Sequence, residues 1–218
     1  CHLCPVPIVC PGILFLLLSC MATLVAADEP FRTAASRRID VHHIRLDIEL
    51  DLPKKHLRGR ATINFSPLPA FFETGREPVI ELDAHALDVS AVRLARDGGQ
   101  ATAVDFAVGD DKLFITAPEG MVETGRKYFV EIDYSVTDPE TGLHFFGPTK
   151  QAPNVPLMVW SQGEPQANHH WFPCIDNSNE RQSTELNVRV SGGVEVLSNG
   201  KLISRRNSAQ GHTTFHWK

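Results

Sequence analysis

Apolar and polar residues alternate strictly over two neighbouring stretches of the chain. Residues 44–52 alternate Ile or Leu with charged side chains, and residues 57–65 alternate again after a turn-like segment at 53–56. A period of two indicates a β-strand with one buried face. The polar face is acidic in the first stretch and basic in the second. We therefore predict a β-hairpin with cross-strand charge pairs, each contributing a few tenths of a kcal/mol.

Shorter stretches of β character continue to the end of the chain. They lie at residues 78–82, 87–94, 113–116, 127–136, 143–147, 156–160, 184–190, 194–197 and 213–217. The segment Ser198-Asn199-Gly200 carries the Asn-Gly pair that favours hairpin turns. No window shows a sustained helical period. The pattern predicts an all-β fold, an antiparallel multi-sheet sandwich spanning residues 39–218.

An apolar leader precedes this domain. Residues 1–27 contain no Lys, Arg, Asp or Glu, and small residues come just before Asp28. The apolar run suits a signal peptide better than a membrane span. Residues 17–20 also resemble a lipoprotein signal with Cys20 as the lipidated residue, while an uncleaved anchor or a misplaced start are the alternatives. We expect an exported protein (periplasmic, extracellular or envelope-attached) that meets a membrane only through the leader, with residues 28–38 as a linker.

Composition and charge narrow the class of protein. Of 218 residues, 42% are hydrophobic and 22% charged, as in folded proteins, and the net charge is −5. An acidic balance argues against a nucleic-acid partner, for which a basic face is expected. Four of the five cysteines lie in the first twenty residues. A mature chain would keep only Cys174, so it could form neither an internal disulfide nor a cysteine metal cluster.

The segment 161–181 holds the chemistry that best indicates function. It reads Ser161-Gln162-Gly163-Glu164, then Ala167, then Phe172-Pro173-Cys174-Ile175-Asp176. This order resembles the N-terminal domain of the M1 family of zinc aminopeptidases, and the flanking strands extend the resemblance to residues 39–218. The family's usual arginine is replaced by His169, and a common proline by Ser178. The resemblance implies a saddle-like antiparallel β domain.

The same resemblance assigns roles to residues of this segment. It implies that Glu164 contacts the α-amino group of a peptide substrate. A carboxylate balances the charge of an ammonium and accepts its hydrogen bonds. Gln162 would add an acceptor or shape the pocket, and Gly163 would let the backbone approach closely. Asp176 would anchor the loop through backbone N–H groups or His169. We expect Cys174 to be a small buried hydrophobe, and His169 and His170 to pack rather than bind metal.

The catalytic chemistry of the family is missing from the sequence. M1 enzymes hold zinc with His-Glu-x-x-His and recognise the amine with Gly-x-Met-Glu-Asn, and neither motif occurs here. We therefore expect no catalytic residue, no cofactor and no tight zinc site in this chain. The expected partners are a zinc-bearing catalytic domain of the same polypeptide, beyond Lys218, and the peptide N-terminus. The β domain itself is expected to be incomplete at its C-terminal end. The alternatives are a non-enzymatic scaffold of the same fold and an unrelated cell-surface β-sandwich.

Overall fold

The computed structural model describes residues 37–73 and 78–218. The predicted leader, Cys20 and most of the linker lie outside the described residues. The described part of the chain contains no helix long and apolar enough to span a membrane.

Regular structure in the described residues consists almost entirely of β-strands. The strands are β1 (Ile39–Asp51), β2 (His56–Pro67), β3 (Val79–Asp83), β4 (Asp88–Arg96), β5 (Thr102–Ala103), β6 (Phe106–Val108), β7 (Lys112–Thr116), β8 (Tyr128–Thr137), β9 (Leu143–Phe146), β10 (Met158–Ser161), β11 (Ser183–Ser191), β12 (Leu202–Asn207) and β13 (His212–Trp217). Two short 3-10 helices accompany them, Pro69–Phe72 and Asn168–His170. The all-β prediction is confirmed.

The strands form three sheets. The largest has eight strands in the order β12-β13-β11-β1-β2-β8-β4-β5, a second has the order β3-β7-β6, and β9 pairs with β10. All pairs are antiparallel except β1 with β11, which run parallel. Parallel neighbours need a long connection, and here the whole segment from β2 to β10 supplies it. The parallel pair is the one departure from the antiparallel prediction.

The predicted first hairpin is confirmed. β1 pairs with β2 in a register that sets Ile44 opposite Ile63, across a turn at residues 52–55. Arg58 of β2 contacts Glu49 of β1 at 3.2 Å, as the charge pattern predicts. Arg60 instead points to the other neighbour, β8.

One hydrophobic core joins the two larger sheets. It combines inward-facing residues of β1, β2, β4 and β8 with those of β3 and β7. The largest fully buried side chains are Tyr128, Phe65, Phe71, Phe215, Ile44, Leu57, Ile63, Ile80, Leu82, Leu94, Leu113 and Ile115. Each buried Leu, Ile or Phe contributes about 1.5–3 kcal/mol relative to an exposed one. The three-stranded sheet therefore covers an apolar face of the eight-stranded one.

The predicted strand at residues 194–197 is wrong. That segment is irregular, and Leu197 is 88% exposed. The Asn199-Gly200 turn leads instead into β12, which pairs with β13. β12 was not predicted, because its sequence is largely polar and its order comes from pairing at the edge of the sheet.

Candidate functional site

The segment 161–181 runs from the end of β10 to the start of β11 and contains the second 3-10 helix, Asn168–His170. We call residues 162–167 the motif loop. One backbone hydrogen bond joins the start of the loop to Gly142, and a second closes the loop on itself. The N–H of Gln162 donates to the carbonyl of Gly142 at 2.9 Å, which extends the β9–β10 ladder by one step, and the N–H of Ala167 donates to the carbonyl of Gly163 at 2.9 Å.

Two glycines allow the motif loop to pack this closely. A Cβ on Gly142, whose φ is +79°, would come within 1.9 Å of the Ala167 carbonyl oxygen. A Cβ on Gly163 would lie 2.4 Å from the side-chain oxygen of Asn168. Gly142 therefore needs a residue without a side chain, whereas a side chain at Gly163 would have to displace that of Asn168. The turn residue Gly142 was not among the predicted site residues, although it holds the loop on both sides.

Glu164 and Gln162, the two side chains predicted to bind substrate, are exposed. The Glu164 carboxylate forms no hydrogen bond or ion pair with any residue that the structure describes. Neither side chain lines the cavity of about 330 Å³ beside the loop, which Gln166 and His169 border. Glu164 is thus a carboxylate presented to the outside by a fixed backbone.

Asp176 gathers the hydrogen bonds of the segment after the motif loop. Its Oδ2 accepts from the backbone N–H of His169 at 3.1 Å and lies 2.8 Å from Nδ1 of the His169 ring. Its Oδ1 accepts from the Asn168 side chain at 3.3 Å. The backbone N–H of Asp176 donates to Asp83 at the end of β3, at 2.8 Å. The histidine at the family's arginine position therefore contacts the aspartate that an arginine would be expected to reach.

Cys174 is buried and unpaired. It forms an isolated β-bridge with Asp83, with N–O distances of 2.7 and 3.1 Å. Burial, with smaller contributions from Asp176 and Asp83, raises the pKa of the thiol well above its usual value. A thiol held protonated and away from water is a packing group, since the thiolate is the nucleophile.

The structure also brings together three residues that the sequence provided no reason to connect. Single ligand atoms of His85, Glu140 and His170 lie within 4.8 Å of one another. Burial lowers the pKa of His170, helped by the neighbouring imidazoles of His169 and His85. These three side chains come from three separate connections, so no local spacing in the sequence could have indicated the grouping.

These residues do not form the zinc motif with which M1 enzymes carry out catalysis. His85 and His170 lie in different connections rather than one helical turn apart, and the 218-residue sequence has no His-Glu-x-x-His to supply a general base. No hydrolytic step can be assigned to the described residues.

Comparison with known proteins agrees with the fold. Over 86% of its length the chain superposes on an M1 zinc metallopeptidase from Deinococcus radiodurans, with a TM-score of 0.64 and 20% identity. Yeast LTA4 hydrolase in complex with bestatin gives a TM-score of 0.61 at 20% identity. The chain spans 40% and 29% of those two proteins, respectively.

Similar sequences include a protein of another kind. Transcription initiation factor TFIID subunit 2 from Gallus gallus is 30% identical over 107 residues, and that from Danio rerio is 29% identical over 107 residues. Each match covers 47% of this chain and 9% of the relative. The M1 peptidase N-terminal domain itself matches residues 40–218, nearly the whole described structure, and the chain therefore belongs to the M1 peptidase N-terminal domain family.

Proposed function

We propose that this domain recognises the free α-amino group of a peptide and presents it to a zinc-bearing catalytic domain of the same polypeptide. The observation that carries the proposal is Glu164, an exposed carboxylate without a partner among the described residues, on a loop that is hydrogen-bonded to Gly142 at its start and closed by an internal backbone hydrogen bond. A rigid backbone lowers the entropy cost of placing a charged group against a ligand.

The chemistry of an ammonium suits this carboxylate. A peptide N-terminus carries three donors and one positive charge, and a carboxylate accepts the donors while balancing the charge. Such a bond contributes about 1.5–3 kcal/mol, which corresponds to one to two decades in binding. Gln162, also exposed, supplies an amide next to it.

Exposed apolar side chains on β9 and β10 support the proposal that another domain contacts this surface. Phe146 of β9 and Trp160 of β10 stack with ring centroids 6.4 Å apart, and Met158 and Trp160 are each 47% exposed. Apolar groups clustered at one surface typically mark a contact with protein. A catalytic domain covering β9 and β10 would also shield Glu164 from water and strengthen its bond to an ammonium.

The proposal is tested by Glu164→Gln in a polypeptide that contains both this domain and the proposed catalytic domain. The KM for a peptide with a free amine should rise by about 10–100-fold, since the amide keeps the shape but loses the charge. Glu119→Gln, an exposed carboxylate in the β7–β8 connection, is the matched control and should leave KM unchanged.

An N-acetylated peptide completes the test. It has no ammonium, so its inhibition constant should be the same for the wild type and Glu164→Gln. Equal KM values for the free-amine peptide in the two proteins would remove Glu164 from the site.

A non-enzymatic scaffold is the second candidate function, favoured by the sequence identity with TFIID subunit 2. This alternative predicts that the longer polypeptide cleaves no peptide under conditions where zinc is supplied. It also predicts that Glu164→Gln changes neither peptide binding nor assembly with partner proteins. Peptidase activity that depends on Glu164 would exclude the scaffold function.

A further inference from the structure

Three connections between strands converge beside the motif loop. His85 lies between β3 and β4, Glu140 between β8 and β9, and His170 in the 3-10 helix after the motif loop. One ligand atom from each lies within 4.8 Å of the others, the only such group of three found among the described residues. The rings of His85 and His170 are 4.4 Å apart, centroid to centroid.

His85 is oriented in the way that metal-binding histidines usually are. Its Nδ1 lies 2.5 Å from a carboxylate oxygen of Asp111, while its Nε2 faces Glu140 at 3.8 Å. When Nδ1 donates its hydrogen to Asp111, the lone pair of Nε2 is directed at Glu140. A carboxylate behind a histidine fixes the tautomer and makes the free nitrogen a better ligand.

His170 contributes an unsatisfied nitrogen. Its Nδ1 is buried and has no hydrogen-bond partner within the described residues. Buried polar atoms are normally hydrogen-bonded, so a buried nitrogen without a partner is available to an incoming ligand.

Backbone hydrogen bonds hold the β3–β4 connection against the segment that precedes His170 and against Asp111. The N–H of His85 donates to the carbonyl of His169 at 2.9 Å, and the N–H of Ala84 donates to the carbonyl of Asp111 at 3.0 Å. The Glu140 side chain is 80% exposed and can adjust. A metal ion needs its ligand atoms closer together than 4.8 Å, and the exposed Glu140 side chain can supply the movement that closes the set.

We propose that His85, His170 and Glu140 bind one divalent transition-metal ion, with Asp111 as the residue that positions His85. Two imidazoles and a carboxylate suit Zn²⁺, whereas Mg²⁺ and Ca²⁺ prefer oxygen ligands alone. The ion ties the β3–β4 and β8–β9 connections to the segment that follows the motif loop. The proposal differs from the expectation, drawn from the sequence, that the chain binds no metal. It does not depend on the role of Glu164.

Metal titration of the full 218-residue chain tests the site. After treatment with a chelator, the protein is titrated with ZnCl₂ by calorimetry and with Co²⁺ by visible absorption, whose bands report coordination geometry. Glu140→Gln and His170→Gln should each weaken one binding event at least about tenfold, and Asp111→Asn should weaken it by about 10–100-fold. His216→Gln is the matched control, because His216 pairs with the carboxylate of Glu185 at 2.8 Å.

His2 and four cysteines within the first twenty residues can also bind zinc. The variants are therefore needed to show which binding event belongs to the proposed site. The expected result is a binding event that weakens in Glu140→Gln and His170→Gln and persists in His216→Gln. Identical Zn²⁺ and Co²⁺ titrations for the wild type and Glu140→Gln, or no saturable uptake at all, would overturn the proposal. Should His170→Gln fail to fold, Glu140→Gln decides alone, since its side chain is exposed.

Discussion

Gly142 determines whether Glu164 can occupy its position. Its carbonyl accepts a hydrogen bond from Gln162, and the space where its side chain would lie is filled by the carbonyl of Ala167. Gly142 therefore contacts both ends of the motif loop, Gln162 by a hydrogen bond and Ala167 by close packing. A side chain here would displace the loop rather than merely strain the turn.

Gly142→Ala, compared with Gly125→Ala, separates these two effects. Both glycines have positive φ, +79° and +73°, but only Gly142 has atoms within 4 Å of the point that a Cβ would occupy. Gly125→Ala should lower the free energy of unfolding by about 1–2 kcal/mol, the cost of a left-handed alanine. The loss for Gly142→Ala should exceed about 3 kcal/mol, because a backbone clash is added. Chemical denaturation measures both, and equal losses would contradict the packing described for Gly142.

His169 and Asp176 show what a motif can and cannot provide at the residue scale. The sequence order suggested that these two residues contact each other, and the structure places the His169 Nδ1 2.8 Å from Asp176. The group of His85, Glu140 and His170 was beyond reach, because tertiary folding alone brings together residues separated by 30 to 85 positions.

At the scale of the strand, Asp133 links three adjacent strands of the large sheet. It lies on β8 and contacts Arg60 of β2 at 2.6 Å and Arg93 of β4 at 2.7 Å. The hydrogen bond from Arg60, followed by that from Arg93, lowers the pKa of Asp133 below its ordinary value of 3.8. The ionised carboxylate is therefore favoured in the folded protein.

Asp133→Asn should lower the free energy of unfolding by about 1–2 kcal/mol at neutral pH, because a partly buried charged pair is lost. A lowered folded-state pKa means that this stabilisation is complete above the ordinary value of 3.8 and is lost as the pH falls through the folded pKa. The difference between wild type and variant should thus be constant near pH 6–7 and shrink below about pH 4. Asp138→Asn, at an exposed pair with Lys55, is the control and should change little. A difference that grows in acid would contradict the pairing.

Strands could be predicted from the sequence where one face is buried. They could not be predicted where only hydrogen bonding to a neighbouring strand makes the segment extended. The β1–β2 hairpin followed from strict alternation over two long stretches. β5, β6 and β12 escaped prediction, since they are short or largely exposed, and 194–197 looked like a strand but has no partner among the described strands. The parallel pairing of β1 with β11 is a long-range choice that local patterns do not encode.

At the scale of the whole molecule, the exposed strands β9 and β10 suggest where a second domain contacts this one. Their apolar side chains lie next to the motif loop, so the same contact would enclose Glu164. Under the proposed function, the catalytic domain is predicted to cover Met158 and Trp160 while leaving access for a peptide N-terminus.

Methionine oxidation tests that position without any substitution. Met158 is 47% exposed on β10, whereas Met121 lies, partly buried, in the β7–β8 connection. Oxidation of a methionine depends on access of peroxide to its sulfur. In a polypeptide that joins this domain to the proposed catalytic domain, peroxide should oxidise Met158 several-fold more slowly than in the 218-residue chain, as measured by mass spectrometry of the corresponding peptide. Met121 serves as the internal control, and its rate should be the same in both proteins. Equal rates for Met158 would place the catalytic domain elsewhere, and Glu164 would then lack the water-poor surroundings in which a carboxylate binds an ammonium tightly.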